Sequence, residues 1–276
     1  MNFPDTWLWL IVSLALATLW TNVAWLFGHP QPGRIGQSVG RLRAWRFAPW
    51  LLQFLRLLYY VGLPFAALLW GRDAVTRRFL GLQSLAWPRP GVDAAGLAIT
   101  TNWLDWTRDA GWAAALGVAV LVFLALGWAA YRRALRNTGL SIAVVGTDVS
   151  AWVHLREAAL HEVHWAFYRN APILALGADE KGIYLGAWLG LALVGLEAVL
   201  NPAWRDGLML PERAPAQLMR AALAVASTIL FWKTGNLWLA IGLHFPVSLG
   251  LAALARASAA TQVEPVQTDE PRSGLA

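Results

Sequence analysis

Cysteine is absent from this 276-residue chain, which excludes disulfides, thiolate nucleophiles and cysteine-ligated zinc. Charge is scarce as well: Asp, Glu, Lys and Arg make up 14% of the residues, against about 25% in an average soluble domain. With 58% hydrophobic residues and a mean hydropathy of +0.47, the composition is that of a membrane protein. Acids are outnumbered by bases, 16 to 22. The bases are nearly all Arg and stand at the edges of apolar segments. Nucleic-acid binding wants one contiguous basic face, so no nucleic-acid partner is expected and the arginines read as topology determinants.

What is abundant is tryptophan, 18 residues. Trp7, Trp9, Trp25, Trp50, Trp70, Trp112, Trp128, Trp188, Trp204, Trp232 and Trp238 fall near the ends of apolar runs, where amphipathic rings favour the headgroup boundary. The first run, 7–27, has no basic segment before it and no A-x-A site after it, so it reads as an uncleaved span. Further spans are expected at about 47–70, 112–131, 182–204, 216–232 and 236–256, each long enough for a hydrocarbon core of about 30 Å. Between them, 71–111 reads as a loop with interfacial helices, and 257–276 as a disordered tail. With the helix at 151–170 this makes an all-α polytopic bundle of about seven helices, one domain over 1–256, with negligible strand. Seven crossings with an outside N-terminus put most Arg inside, although Arg72, Arg77 and Arg78 argue the other way. Arg56, well within the second span, is expected to face the bundle interior.

The densest set of ionisable groups is AWVHLREAALHEVHWAFYRN, residues 151–170. At about 100° per residue, His154, Glu157, His161, His164 and Tyr168 form one stripe and Glu162, Trp165 and Arg169 an adjacent one. In a soluble protein such stripes are usually a solvated face. Among spans they are expected to be buried in the bundle. Gly182, Gly186 and Gly190 form a small-residue face that admits a neighbouring helix, and carry Glu197 and Asn201 inward with them. His244 and, one turn on, Ser248 lie in the last span, where Pro246 deprives the Gly242 carbonyl of its helical partner.

A carboxylate buried with imidazoles is a stronger base for activating water, and imidazole or amide donors facing it stabilise an oxyanion. This suits amide hydrolysis with neither a cysteine nor a serine nucleophile. HEVHWAFYRNAP (161–172) followed by TGNLWLAIGLHFPVSLG (234–250) resembles the CAAX protease and bacteriocin-processing (CPBP) family of intramembrane endopeptidases. The resemblance covers about 110–256. That family's motifs are Glu-Glu-x-x-x-Arg, Phe-x-x-x-His and His-x-x-x-Asn. In one register His164 and Trp165 stand at the two glutamates and Arg169 at the arginine; in the other, His161 and Glu162 stand at the glutamates and Ala166 at the arginine. Asn201 is the nearest candidate for the middle histidine, and Ser248 replaces the last asparagine.

The resemblance implies an all-helical endopeptidase of a prokaryotic plasma membrane, acting on membrane-anchored proteins or peptides in the lipid bilayer through a glutamate-activated water. On that basis Glu162 is the expected base, His244 and Asn201 hold the oxyanion or water, and His164 and Arg169 orient the glutamate. Glu157, His161, Glu197 and Ser248 are secondary candidates. His161-Glu162-Val163-His164 misses the H-E-x-x-H spacing by one residue, so a divalent metal such as zinc on His161, His164 and His244 is an alternative. Glu162 and Arg169 can also be read as a buried structural ion pair. The competing function is a non-catalytic membrane scaffold or partner-binding protein. The two differ in geometry: a peptidase is expected to hold Glu162 and His244 across a water-sized gap of roughly 4 to 7 Å, a scaffold to close that gap with direct hydrogen bonds.

Overall fold

The longest buried stretch among the described residues belongs to a helix too polar to count as a membrane span. In the computed structural model, which describes residues 5–29, 33–71, 75–86, 100–137 and 149–260, this helix is α7 (Ala151–Leu176). Every residue from His164 to Ile173 is buried. Among the described residues six other helical segments are long and apolar enough to cross a membrane, so the chain is an integral, multi-pass membrane protein with an all-α bundle. They are α1 (Asp5–Gly28), the composite α3 (Ala48–Leu57) and α4 (Leu63–Trp70), α6 (Trp103–Asn137), α8 (Glu180–Leu200), α10 (Ala214–Thr234) and α11 (Leu237–Ala260).

Short elements join them: α2 (Gly33–Ala44), α5 (Arg77–Leu80) and α9 (Pro202–Met209). Two three-residue strands, β1 (Ser84–Ala86) and β2 (Thr100–Asn102), pair in parallel with Ser84 opposite Thr100. Helix α6 begins nine residues before the expected start at 112, because Trp103–Gly111 continues the helix with Asp105 in its first turn, where a carboxylate complements the helix dipole. Helix α11 runs on to Ala260, so the first residues of the expected tail are helical; 261–276 lie outside the described residues. Pro172 and Pro246 sit inside α7 and α11 without ending them.

Between α3 and α4 the span passes through a π-helical turn, Leu58–Gly62. Such one-turn insertions rotate the side chains that follow. Here Tyr59 and Tyr60 both meet His164, with ring centroids 5.1 and 4.8 Å away.

The tightest packing is between α7 and α8. A Cβ on Gly186 would lie 2.7 Å from Ile173 Cα, and one on Gly190 would lie 2.6 Å from Arg169 Cα. Two backbones approach this closely only where neither side chain intervenes. Gly182, the third of the series, packs instead on the turn before α8, where Asp179 accepts from its amide at 3.0 Å. Gly195 has open space.

Gly186→Ala and Gly190→Ala should each destabilise the bundle by about 1–3 kcal/mol through overpacking, with Gly186→Leu worse. Gly195→Ala should be neutral or stabilising, since alanine is the better helix former. Unfolding midpoints in mixed detergent would check this; equal midpoints for all three alanine variants would refute the close approach.

Candidate functional site

The two polar stripes of α7 face different partners. The Glu162 stripe looks toward α10 and α11. Glu162 Oε1 accepts from His244 Nδ1 at 2.9 Å, and Oε2 accepts from the Ser227 hydroxyl of α10. Arg169 Nη1 donates to the same Ser227 oxygen at 3.1 Å, its Nη2 lies 4.0 Å from Glu162 Oε2, and its guanidinium stacks over Phe231 at 4.5 Å. Glu162 and Ser227 are fully buried, and His244 is 4% exposed. Ser227 thus sits between carboxylate and guanidinium, so the acid and the base are joined through a hydroxyl and not by a closed ion pair. Trp165 and His161 cover His244, their ring centroids 5.5 and 6.1 Å from it.

The other stripe looks toward α8, the π turn and α1. His164 Nε2 contacts Glu197 Oε2 at 2.7 Å. Tyr59 OH lies 3.4 Å from the same nitrogen and 3.3 Å from Tyr168 OH, and donates to the Ser13 carbonyl at 3.2 Å. His164 and Tyr168 are buried, whereas the Glu197 side chain stays 15% accessible. His164 Nδ1 is buried without a partner among the described residues. Assigning the proton to Nε2 satisfies Glu197 and leaves Nδ1 as the bare lone pair.

Toward the N-terminal end of α7, Glu157 accepts from both terminal guanidinium nitrogens of Arg56, from Nη1 at 2.8 Å, and from Arg156 Nη2 at 3.0 Å. The intramembrane Arg56 therefore does face the bundle, with the central helix as its partner. His161 donates through Nδ1 to the Glu157 carbonyl at 2.7 Å and packs against Tyr60 and Trp165.

Several expectations change. The gap between Glu162 and His244 is closed: they touch, and Ser227 takes the second oxygen. Asn201 does not face the central helix. It ends α8 and caps α9, its Oδ1 accepting from the Ala203 amide at 3.0 Å and the Trp204 amide at 3.4 Å. Pro202 stops α8 there, which turns the Asn side chain onto the next helix. Ser248 is buried on α11 but is not bonded to the Glu162 group. His161, His164 and His244 do not converge: His164 turns to Glu197, His244 to Glu162, and His161 spends a nitrogen on a carbonyl. Among the described residues no three His, Cys, Asp or Glu side chains are grouped to hold a metal, so no step is routed through one.

Ser227, Tyr59 and Tyr168 as site residues were not singled out from sequence, although each is a polar group within a span or central helix, a pattern that marks interhelical hydrogen bonds. Compared with models of known families, with curated proteins and with solved structures, the chain matches none. The resemblance to the CPBP family thus rests on its motifs alone.

Ser227→Ala would strip Glu162 and Arg169 of their shared hydroxyl inside the bundle, at a cost of about 1–3 kcal/mol. The detergent unfolding midpoint should fall accordingly. An unchanged midpoint would mean that Ser227 does not join the three helices.

Proposed function

We propose that this chain is an intramembrane endopeptidase of the CPBP type, cleaving membrane-anchored proteins or peptides in a prokaryotic plasma membrane with a glutamate-activated water. The observation that carries this is the pairing of Glu197 with His164 at 2.7 Å beside the Tyr59 and Tyr168 hydroxyls, with the Glu197 side chain 15% accessible.

A general base needs an oxygen that can reach water. Glu162 is fully buried with both oxygens bonded, and Glu157 is held by two arginines. Glu157, although its side chain is 24% accessible, is neutralised by arginine, whereas Glu197, 15% accessible, has one oxygen oriented by imidazole and, among the described residues, no arginine on it, so the base moves from Glu162 to Glu197. In this arrangement Glu197 removes a proton from water as the resulting hydroxide attacks the scissile carbonyl. For the Tyr59 hydroxyl, beside the imidazole, to steady the oxyanion, it must turn its one proton from the Ser13 carbonyl to the substrate. The protonated Glu197 then returns its proton to the leaving amine as the tetrahedral intermediate collapses. Glu162, His244, Ser227 and Arg169 act as a positioning group that fixes α7 against α10 and α11.

The scaffold reading draws on a specific observation too: the direct hydrogen bonds that fill the space around Glu162 are what a non-catalytic bundle would have. The two are separated by reconstituting the protein in vesicles with peptides tethered to a transmembrane anchor. Cleavage is expected, with Glu197→Gln lowering it at least 100-fold at unchanged unfolding midpoint, while Glu162→Gln shifts the midpoint first. No cleavage of any tethered peptide would favour the scaffold. Cleavage that survives in Glu197→Gln but is lost in a folded Glu162→Gln variant would return the base to Glu162.

A further inference from the structure

We propose that the end of α1 and helix α2 form a binding site for an anionic phospholipid of the adjacent leaflet. Helix α1 ends a membrane crossing at Gly28 and α3 begins the next one at Ala48, so α2, lying between them, belongs to a single membrane face. Its sequence, GRIGQSVGRLRA, is too polar for the hydrocarbon and has arginines flanking the apolar Val39 and Leu42, the composition of a helix lying in the headgroup plane. Exposed Trp45 and Trp50, just past its end, fit that level.

A cleft of about 410 Å³ opens between the two helices, lined by Phe27 of α1 and by Arg34, Ser38, Val39 and Leu42 of α2. Arg34, Ser38 and Leu42 recur every four residues, hence along one side of α2. The cleft therefore has a guanidinium and a hydroxyl for a phosphate, and aliphatic and aromatic walls for the start of an acyl chain. The charge is one-sided. Arg34, Arg41, Arg43 and Arg46 are exposed, and no acid occurs between Asp5 and Asp73. Among the described residues none of the four takes part in an ion pair. Unlike Arg56, which is neutralised by Glu157, these arginines are left for an external anion, and the anions at this depth are lipid headgroups.

The full-length protein in neutral detergent, titrated with an equimolar mixture of phosphatidylglycerol and phosphatidylcholine of the same acyl chains, provides the test by native mass spectrometry. The first lipid retained should be phosphatidylglycerol by about five-fold or more, the scale of one arginine at a membrane surface. Arg34→Gln should bring that ratio close to one, and Arg41→Gln should lower it in part. The control Arg133→Gln/Arg136→Gln, on exposed arginines of α6, should leave it unchanged. The proposal fails if the wild-type protein shows no preference, if Arg34→Gln keeps it while folded, or if the α6 control loses it equally. Displacement of phosphatidylglycerol by millimolar inorganic phosphate would assign the site to a soluble anion and overturn the lipid assignment.

Discussion

The structure depends on the cost of placing ionisable side chains away from water. Each charged group at mid-membrane costs about 2.5–3.5 kcal/mol by insertion scales, and α7 carries Glu157, Glu162 and Arg169 with three histidines besides. A helix of this kind cannot face lipid. It can lie only where other helices surround it and supply a partner at each depth, and the bundle does both: Arg56 for Glu157, His244 and Ser227 for Glu162, Glu197 for His164. The apolar helices are arranged around it and leave most of their own surface outward, with no more than 39% of any span's apolar window buried.

That requirement explains the glycines. Pairing His164 with Glu197 brings α8 so near that Arg169 and Ile173 leave no room for a Cβ at Gly190 or Gly186. The same approach seals Arg169, whose guanidinium then points away from α8 toward Ser227 and Phe231. Backbone contact on one side of α7 and polar contact on the other thus reinforce each other. The π turn adds a third support, since Tyr59 and Tyr60 within it both pack on His164.

Two carboxylate–imidazole pairs on opposite sides of one helix differ in their surroundings. The pair on the α11 side is sealed and saturated, which favours rigidity. The pair on the α8 side is adjacent to phenols, with His164 buried and the Glu197 side chain 15% accessible. Burial beyond a point removes a carboxylate from water, and in this respect Glu162, fully buried, and Glu197, 15% accessible, differ although each touches an imidazole.

Composition and periodicity determined a good deal. Apolar length located the spans, the stripes of α7 emerged from helical spacing, and the glycine face carried Glu197 inward correctly, because each follows from the geometry of a single helix. The inward orientation of Arg56 was legible for the same reason: a charge deep within an apolar run has nowhere else to go. Partner choice was not legible. Which of three glutamates meets which histidine depends on the rotation and depth of packed helices, and an error of one turn exchanges Glu162 for Glu157 or closes a gap into a hydrogen bond. Asn201 shows the limit most clearly: periodicity extends the inward face of α8 to that position, but Pro202 ends the helix there and the side chain caps α9. Ser227 and the two tyrosines became site residues only through contacts across helices, a relation that no single stretch of sequence contains.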